Sequence, residues 1–332
     1  MPISIKDIAK AAGVSPSTVS RALNDHPRIS ADTKQHIQQL AHEMGYTPSA
    51  VARSLVTRRT TSIGLIITTL SDPFYVRLIG GVEDVALKNG YQVFLSSSYR
   101  SRTRELDLIR LFQERRADGI IVSGSLVDED YLELRNRFRL PIVLINRNSY
   151  PYSISTDNQE GARQAVDYLI QLGHRRIAYV SNMHSESAHR GRLAGYRASL
   201  QTGGIPFDPQ LIVDGDGTIG CGSQILEQLF ALPRPPTAFF CFNDLMAIGL
   251  IDALSKQGFQ VPQNYSVVGF DDIEMAQYYN PPLTTVQQPG TRLGQCAIQM
   301  LLKLITGQAD VRADVLPAEL VVRGSTAPPT TN

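Results

Sequence analysis

The sequence predicts a three-helix N-terminal module, a short hinge, and an α/β body of two lobes built on doubly wound parallel sheets. Three observations predict it. Helix-start and helix-stop signals are paired within the first 46 residues, β-branched runs alternate with longer amphipathic stretches from Ser62 onward, and that alternation occurs as two successive series. At 332 residues the chain is long enough for a small module and a larger body.

Ser4 followed three residues later by Asp7 is a capping pair, and Ile5, Ile8, Ala9 and Ala12 then share one helical face until Gly13. Ser15 and Pro16 supply an N-cap and a first-turn proline for a second helix through Leu23. A third helix begins after Ser30, carries Ile37, Leu40, Ala41 and Met44 on one face, and stops at Gly45. Two short helices across a tight turn form a helix-turn-helix, whose second helix enters the major groove of DNA. Ser17, Arg21 and Asn24 suit contacts to base edges and phosphates, Arg21 through a bidentate pair to guanine, while Val19 and Leu23 face the module's own core. A solvated surface helix would also carry polar residues. The caps, the turn glycine and the charge favour the DNA reading together: residues 1–60 hold eight Lys or Arg against four Asp or Glu, a net of +4, which leaves −3 for the remainder of a chain whose total is +1.

Residues 49–56 are too few for a stable isolated helix, since helices below ~12–15 residues are marginal in water. The hinge is therefore expected to fold only with help from DNA or from a second copy, and polar Thr57–Ser62 reads as the linker after it.

In the body, strands are expected at Ile63–Ile67, Tyr91–Leu95, Gly119–Val122 and Ile142–Ile145, then at Arg176–Val180, Leu211–Val213, Ala238–Cys241 and Val267–Gly269. Open α/β sheets bind ligands beyond the carboxyl ends of their strands, so the loops there should line a cleft between two lobes. Those loops hold Asp72-Pro73-Phe74-Tyr75, Asn146-Arg147, Asn243-Asp244 and Phe270-Asp271-Asp272, with Arg190 and Arg192 opening a later helix. Arginine and carboxylate groups bind vicinal hydroxyls or anionic substituents, and an aromatic face covers the apolar side of a sugar or base. Any one of these side chains alone would serve equally well in a structural ion pair or cap. Their shared position after strands selects the binding reading.

Catalysis has no visible machinery. Gly215-Asp216-Gly217-Thr218-Ile219-Gly220 spells G-x-G-x-x-G between a strand and a helix, but the acidic residue expected roughly 20 residues later is replaced by apolar Ala238-Phe239-Phe240-Cys241, so a dinucleotide-dependent enzyme is disfavoured. His26, His36, His42, His174, His184 and His189 lack metal-ligand spacing, and Cys221, Cys241 and Cys296 read as small buried side chains, so neither metal nor cofactor is expected. No apolar run approaches the roughly 20 residues of a membrane span, and Lys6, Asp7 and Lys10 stand where a signal peptide needs an apolar stretch. The expectation is a cytoplasmic protein rather than an exported sugar-binding one.

At this point a family resemblance is visible. Ile5-Lys6-Asp7-Ile8-Ala9, Ala12-Gly13-Val14-Ser15, Thr18-Val19-Ser20-Arg21-Ala22-Leu23-Asn24 and Gly45-Tyr46-Thr47-Pro48 through Leu55 resemble the lactose-repressor/galactose-repressor (LacI) family of transcriptional regulators, with a hinge similar to that of its purine-responsive members. Arg192-Leu193-Ala194-Gly195-Tyr196, Phe240 to Asp244 and Gly269 to Asp272 extend the resemblance over nearly the whole chain. The resemblance implies a periplasmic-binding-protein-like body, operator DNA of pseudo-palindromic sequence as partner, a homodimer, and a small-molecule effector under allosteric linkage. It implies DNA contacts from Ser4, Ser15, Pro16, Ser17, Thr18, Ser20, Arg21, Asn24, Arg28, Ala52 and Leu55, with Leu55 as a minor-groove wedge. It implies effector contacts from Asp72, Phe74, Asn146, Arg147, Arg192, Phe242, Asn243 and Asp271. Glu186 and Ala188 stand where purine-binding members carry an arginine and a threonine, which turns the expectation from purines toward sugars or sugar derivatives, with nucleosides and sugar acids as alternatives. The expected domains are 1–46 for DNA binding, 47–60 for hinge and linker, and 61–332 for the two lobes, the first about 61–158 plus 288–318 and the second about 159–287 plus 319–326. The C-terminus shows no heptad helix after Val322, so the expected assembly stops at a dimer.

Overall fold

Ser4, Ser15 and Ser30 each open one helix of the N-terminal module. In the computed structural model, which describes residues 3–46, 59–127, 131–147, 149–182, 184–308 and 311–330, α1 spans Ile5–Ala12, α2 Pro16–Leu23 and α3 Ala31–Glu43. The Asp7 carboxylate accepts from the amide and the hydroxyl of Ser4 at 2.9 and 2.7 Å, bonds that hold Asp7 below the usual carboxylate range. Gly13 ends α1 at φ 65°, a left-handed conformation that glycine adopts without a Cβ clash. The Ser15 hydroxyl accepts from the Thr18 amide at 3.1 Å, and the Ser30 hydroxyl from the Thr33 amide at 3.3 Å. Ile8, Val19 and Ile37 are fully buried among Ala9, Ala22 and Ala41, where small side chains let three helices meet. Each such aliphatic contributes roughly 1.5–3 kcal/mol. Leu23 is only partly buried, at the rim of this core.

Contacts divide the chain into two units, Met1–Thr60 and Thr61–Asn332. The second contains two six-stranded sheets. The first sheet has β1 (Ser62–Ile67), β2 (Gln92–Ser97), β3 (Gly119–Ser123), β4 (Ile142–Ile145), β5 (Ser153–Thr156) and β11 (Asp314–Leu316), in the order β11-β5-β4-β3-β1-β2, and is parallel throughout. The second has β6 (Ile177–Ser181), β7 (Ile212–Asp214), β8 (Ala238–Cys241), β9 (Ser266–Asp271), β10 (Thr284–Gln287) and β12 (Glu319–Val321), in the order β12-β10-β9-β8-β6-β7, with only β12 antiparallel. Strands covered by helices on both faces read as continuous apolar runs, which is why Ile142–Ile145 and Ala238–Cys241 carry no alternation.

The covering helices are α4 (Phe74–Lys88), α5 (Arg102–Glu114), α6 (Tyr131–Phe138), α7 (Asn158–Gln171), α8 (Glu186–Thr202), α9 (Gly222–Phe230), α10 (Asp244–Lys256) and α11 (Gly290–Ile305). Leu78 and Val82 of α4 pack with Leu293, Ile298 and Leu301 of α11 on one face of the first sheet, opposite Ile109 of α5 and Leu134 of α6. Val166 and Leu169 of α7 pack with Tyr196 and Leu200 of α8 on the second sheet, opposite Ile225 of α9 and Leu250 of α10. The chain passes between the lobes after β5, after β10 and between β11 and β12.

Three expectations are corrected. Strands read at 91–95, 211–213 and 267–269 run instead as 92–97, 212–214 and 266–271, with Leu211 held in a 3-10 turn behind Pro209. Arg192 does not open its helix: α8 starts at Glu186, which puts Arg192 in the second turn. The second lobe extends past 326, because His174 Nε2 donates to the Ala327 carbonyl at 2.9 Å and Ser266 Oγ does the same. Among the described residues no helix is long and apolar enough to cross a membrane.

Candidate functional site

Strand ends β1, β3 and β4 of the first lobe face β8 and β9 of the second across a cleft. Asp72 lies in the loop after β1, Phe74 begins α4, Asn146 follows β4, Arg192 projects from α8, Phe242 and Asn243 follow β8, and Asp271 ends β9. These seven line one pocket of about 80 Å³. Arg147, the eighth expected contact, is partly buried beside it but does not line it. Its neighbour Asn146 adopts φ 62° and turns into the cleft, its Oδ1 accepting from the Thr156 amide at 2.9 Å, and the chain then turns back through Tyr150 N–H to Arg147 O at 3.2 Å.

Arg192 is 2% exposed and its charge is held from several sides. Nε donates to Asn158 Oδ1 at 2.9 Å, Nη1 donates to the Phe242 carbonyl, and Nη2 lies 3.8 Å from Asp271 Oδ1. The guanidinium also sits over the rings of Phe270 and Phe242, at 3.6 and 4.2 Å from their centroids. Burial lowers its pKa from the ordinary arginine value, against the opposing pull of Asp271. Burial likewise pushes Asp271 well above the usual carboxylate range, against Arg192, and raises Asp72, whose Oδ1 accepts from the Phe74 amide at 3.0 Å. Asp271 also accepts from Gln288 Nε2 at 2.5 Å. One buried carboxylate, Asp271, thus stands beside one buried guanidinium, with Asp72 on the wall of the same pocket. That combination offers acceptors and donors side by side, as vicinal hydroxyls require.

Asn243 plays a supporting part: its Oδ1 caps α10 through the Met246 amide at 2.9 Å and its Nδ2 donates to the Gly217 carbonyl at 3.0 Å. Asp272 turns away from Asp271, toward Arg323 Nη2 at 2.6 Å and Gln287 Nε2 at 2.7 Å. Asp244, fully buried beneath the cleft floor, accepts from Thr285 Oγ1 at 2.5 Å and the Ile273 amide at 2.9 Å, and burial pushes its pKa up to about 6. Asn146, Asp271 and Asp272 all have positive φ, and strain of this kind persists where the surroundings over-determine a functional geometry.

The sequence reading missed Ser123, Ser125, Ser185, Ser187 and Gln288, which also line the pocket. Ser123 ends β3 and Ser125 lies just beyond it, so the strand-end rule alone finds them. Glu186 and Ala188, noted as departures, lie in the pocket wall. Among the described residues no group of three or more His, Cys, Asp or Glu is placed to hold a metal.

In the N-terminal module, Ser4, Ser15, Pro16, Ser17, Arg21, Asn24 and Arg28 are exposed, while Thr18 and Ser20 are partly buried. The hydroxyls of Ser17 and Thr18 pair with Ser15 Oγ at 2.8 and 2.9 Å, and Asn24 Nδ2 donates to the Ser20 carbonyl at 2.8 Å. Exposed Arg21 and Ser17 stand on the face of α2 opposite buried Val19 and Ala22. Ala52 and Leu55 lie outside the described residues.

Residues 4–49 match the bacterial regulatory proteins of the lacI family, and residues 166–326 match a periplasmic binding protein-like domain. The HTH-type transcriptional repressor CytR of Escherichia coli (strain K12) is 35% identical over 326 residues, which are 97% of this chain and 96% of that protein. A crystal structure of the Lac repressor dimer bound to operator and the anti-inducer ONPF superposes with a TM-score of 0.90 at 30% identity, covering 98% of this chain and 100% of that one. A complex of the transcriptional regulator CelR with cellobiose superposes with a TM-score of 0.74 at 29% identity, covering 97% and 99%.

Proposed function

From the premise that the chain belongs to the LacI family of bacterial regulatory proteins, we propose that a small polyhydroxylated molecule, a sugar or sugar derivative, bound between its lobes sets its affinity for operator DNA. The protein is a DNA-binding transcriptional repressor that acts as a homodimer, not an enzyme. The observation that carries the effector reading is the buried Arg192–Asp271 pair facing Asp72 at the junction of the two lobes. Asp72 and Asp271, whose burial favours their neutral forms, stand with Arg192 in the pocket wall and offer a hydroxylated ligand donors as well as acceptors. The CelR complex with cellobiose supports a carbohydrate.

In this reading Asp72, Asn146, Arg192 and Asp271 hold hydroxyls, Phe74 and Phe242 cover an apolar ring face, and Asn243 holds the loop. Ser17, Arg21 and Asn24 read base edges, while Ser4, Ser15, Pro16, Thr18, Ser20 and Arg28 fix the module on phosphates. Ala52 and Leu55 would enter the minor groove at the operator centre, where an apolar wedge unstacks a base step. Its target being operator DNA, the protein works in the cytoplasm. Effector binding favours one angle between the lobes and so biases how the two hinges of a dimer pair.

Linkage supplies the test, because operator must change effector affinity by the same factor by which effector changes operator affinity. Titrating the effector with and without a saturating operator fragment, by calorimetry, is expected to give two different Kd values whose ratio matches the operator shift. Identical values would refute the coupling.

A further inference from the structure

Strands β1 to β4 are mutually parallel, so the helices that precede β2, β3 and β4 all finish at the end of the first lobe where its strands begin, opposite the cleft. The three connections there, residues 85–91, 111–118 and 135–141, hold six Lys or Arg against two Asp or Glu, a net of +4 in a body whose net charge is −3. Lys88, Arg115, Arg116, Arg137 and Arg139 are exposed. We propose that these cations bind DNA phosphates, a second DNA contact that is carried by the body and is separate from the helix-turn-helix.

Two of the cations stand where the backbone calls for glycine. Arg116 follows the last turn of α5 at φ 57°, and Arg139 follows α6 at φ 50°. The position just past a helix is left-handed and usually glycine, because a Cβ there crowds the neighbouring carbonyl. Glycine does hold it after α4 (Gly90, φ 73°) and, in the second lobe, after α7, α8 and α10 (Gly173, Gly204 and Gly258, φ 101°, 64° and 83°). The turns are otherwise alike: the Ala117 amide returns to the Phe112 carbonyl at 2.9 Å and the Phe259 amide to the Leu254 carbonyl at 3.0 Å. Arginine at such a site gives up backbone energy for a placed charge, and cost of this kind collects at functional sites.

The charge is also left available. On the matching end of the second lobe, Arg176 pairs with Asp208 at 3.2 Å and Lys256 with Asp252 at 2.7 Å. Among the described residues, Lys88, Arg115, Arg137 and Arg139 have no carboxylate partner. The chain from the DNA-binding module joins the body at this same end. The Thr61 amide donates to Asp118 Oδ2 at 2.9 Å, the Asp118 amide to the Ser62 carbonyl at 2.8 Å, and the Gln92 amide to the Thr61 carbonyl at 2.9 Å, so the junction is pinned beside the starts of β2 and β3. Residues 47–60 span at most ~50 Å even when fully extended, which tethers operator DNA near this end of the body. A phosphate backbone is the acceptor array that matches a row of exposed guanidinium groups, each able to fork onto one phosphate.

Salt dependence tests this, because each phosphate neutralised steepens the fall of log K with log salt by ~0.9, whatever the base sequence. Affinity of the full-length homodimer is measured by fluorescence anisotropy between about 50 and 200 mM salt, on the operator duplex recovered by genomic selection and on a scrambled duplex of equal length. Arg115→Ala with Arg139→Ala removes about four contacts per dimer, so the slope is expected to fall by roughly 3–4, and both duplexes to bind at least about tenfold more weakly. Arg139→Lys is expected to keep the slope. Arg139→Gly, which relieves the left-handed backbone, is expected to keep or raise Tm while lowering the slope by roughly 2, a combination that a purely structural arginine does not produce. Ethylation interference is expected to reveal phosphates that matter to the natural protein and not to the double variant. The proposal is overturned if the double variant keeps the natural slope, which would give this end of the lobe to an acidic protein surface instead. It is equally overturned if the loss is confined to the operator duplex, or if Arg139→Gly lowers Tm at an unchanged slope, as cations that serve only the helix ends would.

Discussion

Arg21 and Asp271 belong to different units of the chain, so their substitutions should separate the two binding functions. Arg21→Ala is expected to weaken operator binding by ~1–3 kcal/mol and to leave effector binding unchanged, as measured by fluorescence anisotropy and calorimetry on one preparation. Asp271→Ala is expected to abolish the effector response and to spare basal operator affinity. Loss of both functions from either change would mean that the division of labour is wrong. Asp244 makes a prediction about pH. Burial raises its folded pKa to about 6 from the ordinary carboxylate value of 3.8, so the folded state binds the proton more tightly. The stabilising contribution is complete below the unfolded pKa and is lost as pH rises through about 6. The stability of the natural protein relative to Asp244→Asn should therefore fall by about 1 kcal/mol between about pH 5 and 7, measured by denaturant titration. Parallel curves would contradict this origin for the shift.

Helix caps dominate what could be read at the level of elements. Ser4, Ser15 and Ser30 announce their helices because a hydroxyl or carboxylate meeting an orphan amide is a local interaction, written within four residues. Ser30→Ala is accordingly expected to lower the stability of the N-terminal module by ~1 kcal/mol, visible as faster amide exchange in α3, with effector affinity unchanged. The central strands were legible because burial on both faces leaves apolar runs. Strands β5, β10, β11 and β12 were not: they are three or four residues long, and Ser153–Thr156 and Thr284–Gln287 are largely polar. Their pairing comes from partners far along the chain, as in β11 beside β5. Gln288 was missed for the same reason, since it follows a strand that local pattern does not reveal. Arg147 failed in the opposite way: position after a strand is only half of a site, and which side chain enters the cleft is decided by the backbone turn at Asn146.

For the whole molecule, the two sheets place every strand-end loop of interest at one cleft, and the three chain crossings between lobes leave their relative angle as the natural variable for a ligand to set. A ligand changes that angle only through differential affinity for the two arrangements. The buried Arg192–Asp271 pair lies on the second lobe, with Asp72 and Asn146 facing it from the first, so a molecule bridging them distinguishes open from closed. The most direct test of a DNA-binding regulator controlled from this cleft is selection of genomic fragments at near-physiological salt, with and without a panel of sugars, glycosides and nucleosides, run in parallel for the natural protein and Asp271→Ala. Enrichment of one short pseudo-palindrome by both proteins, altered by a panel compound for the natural protein alone, is the predicted result. Failure of the natural protein to enrich any sequence, or an equal response of the Asp271→Ala protein to the same compound, would contradict it.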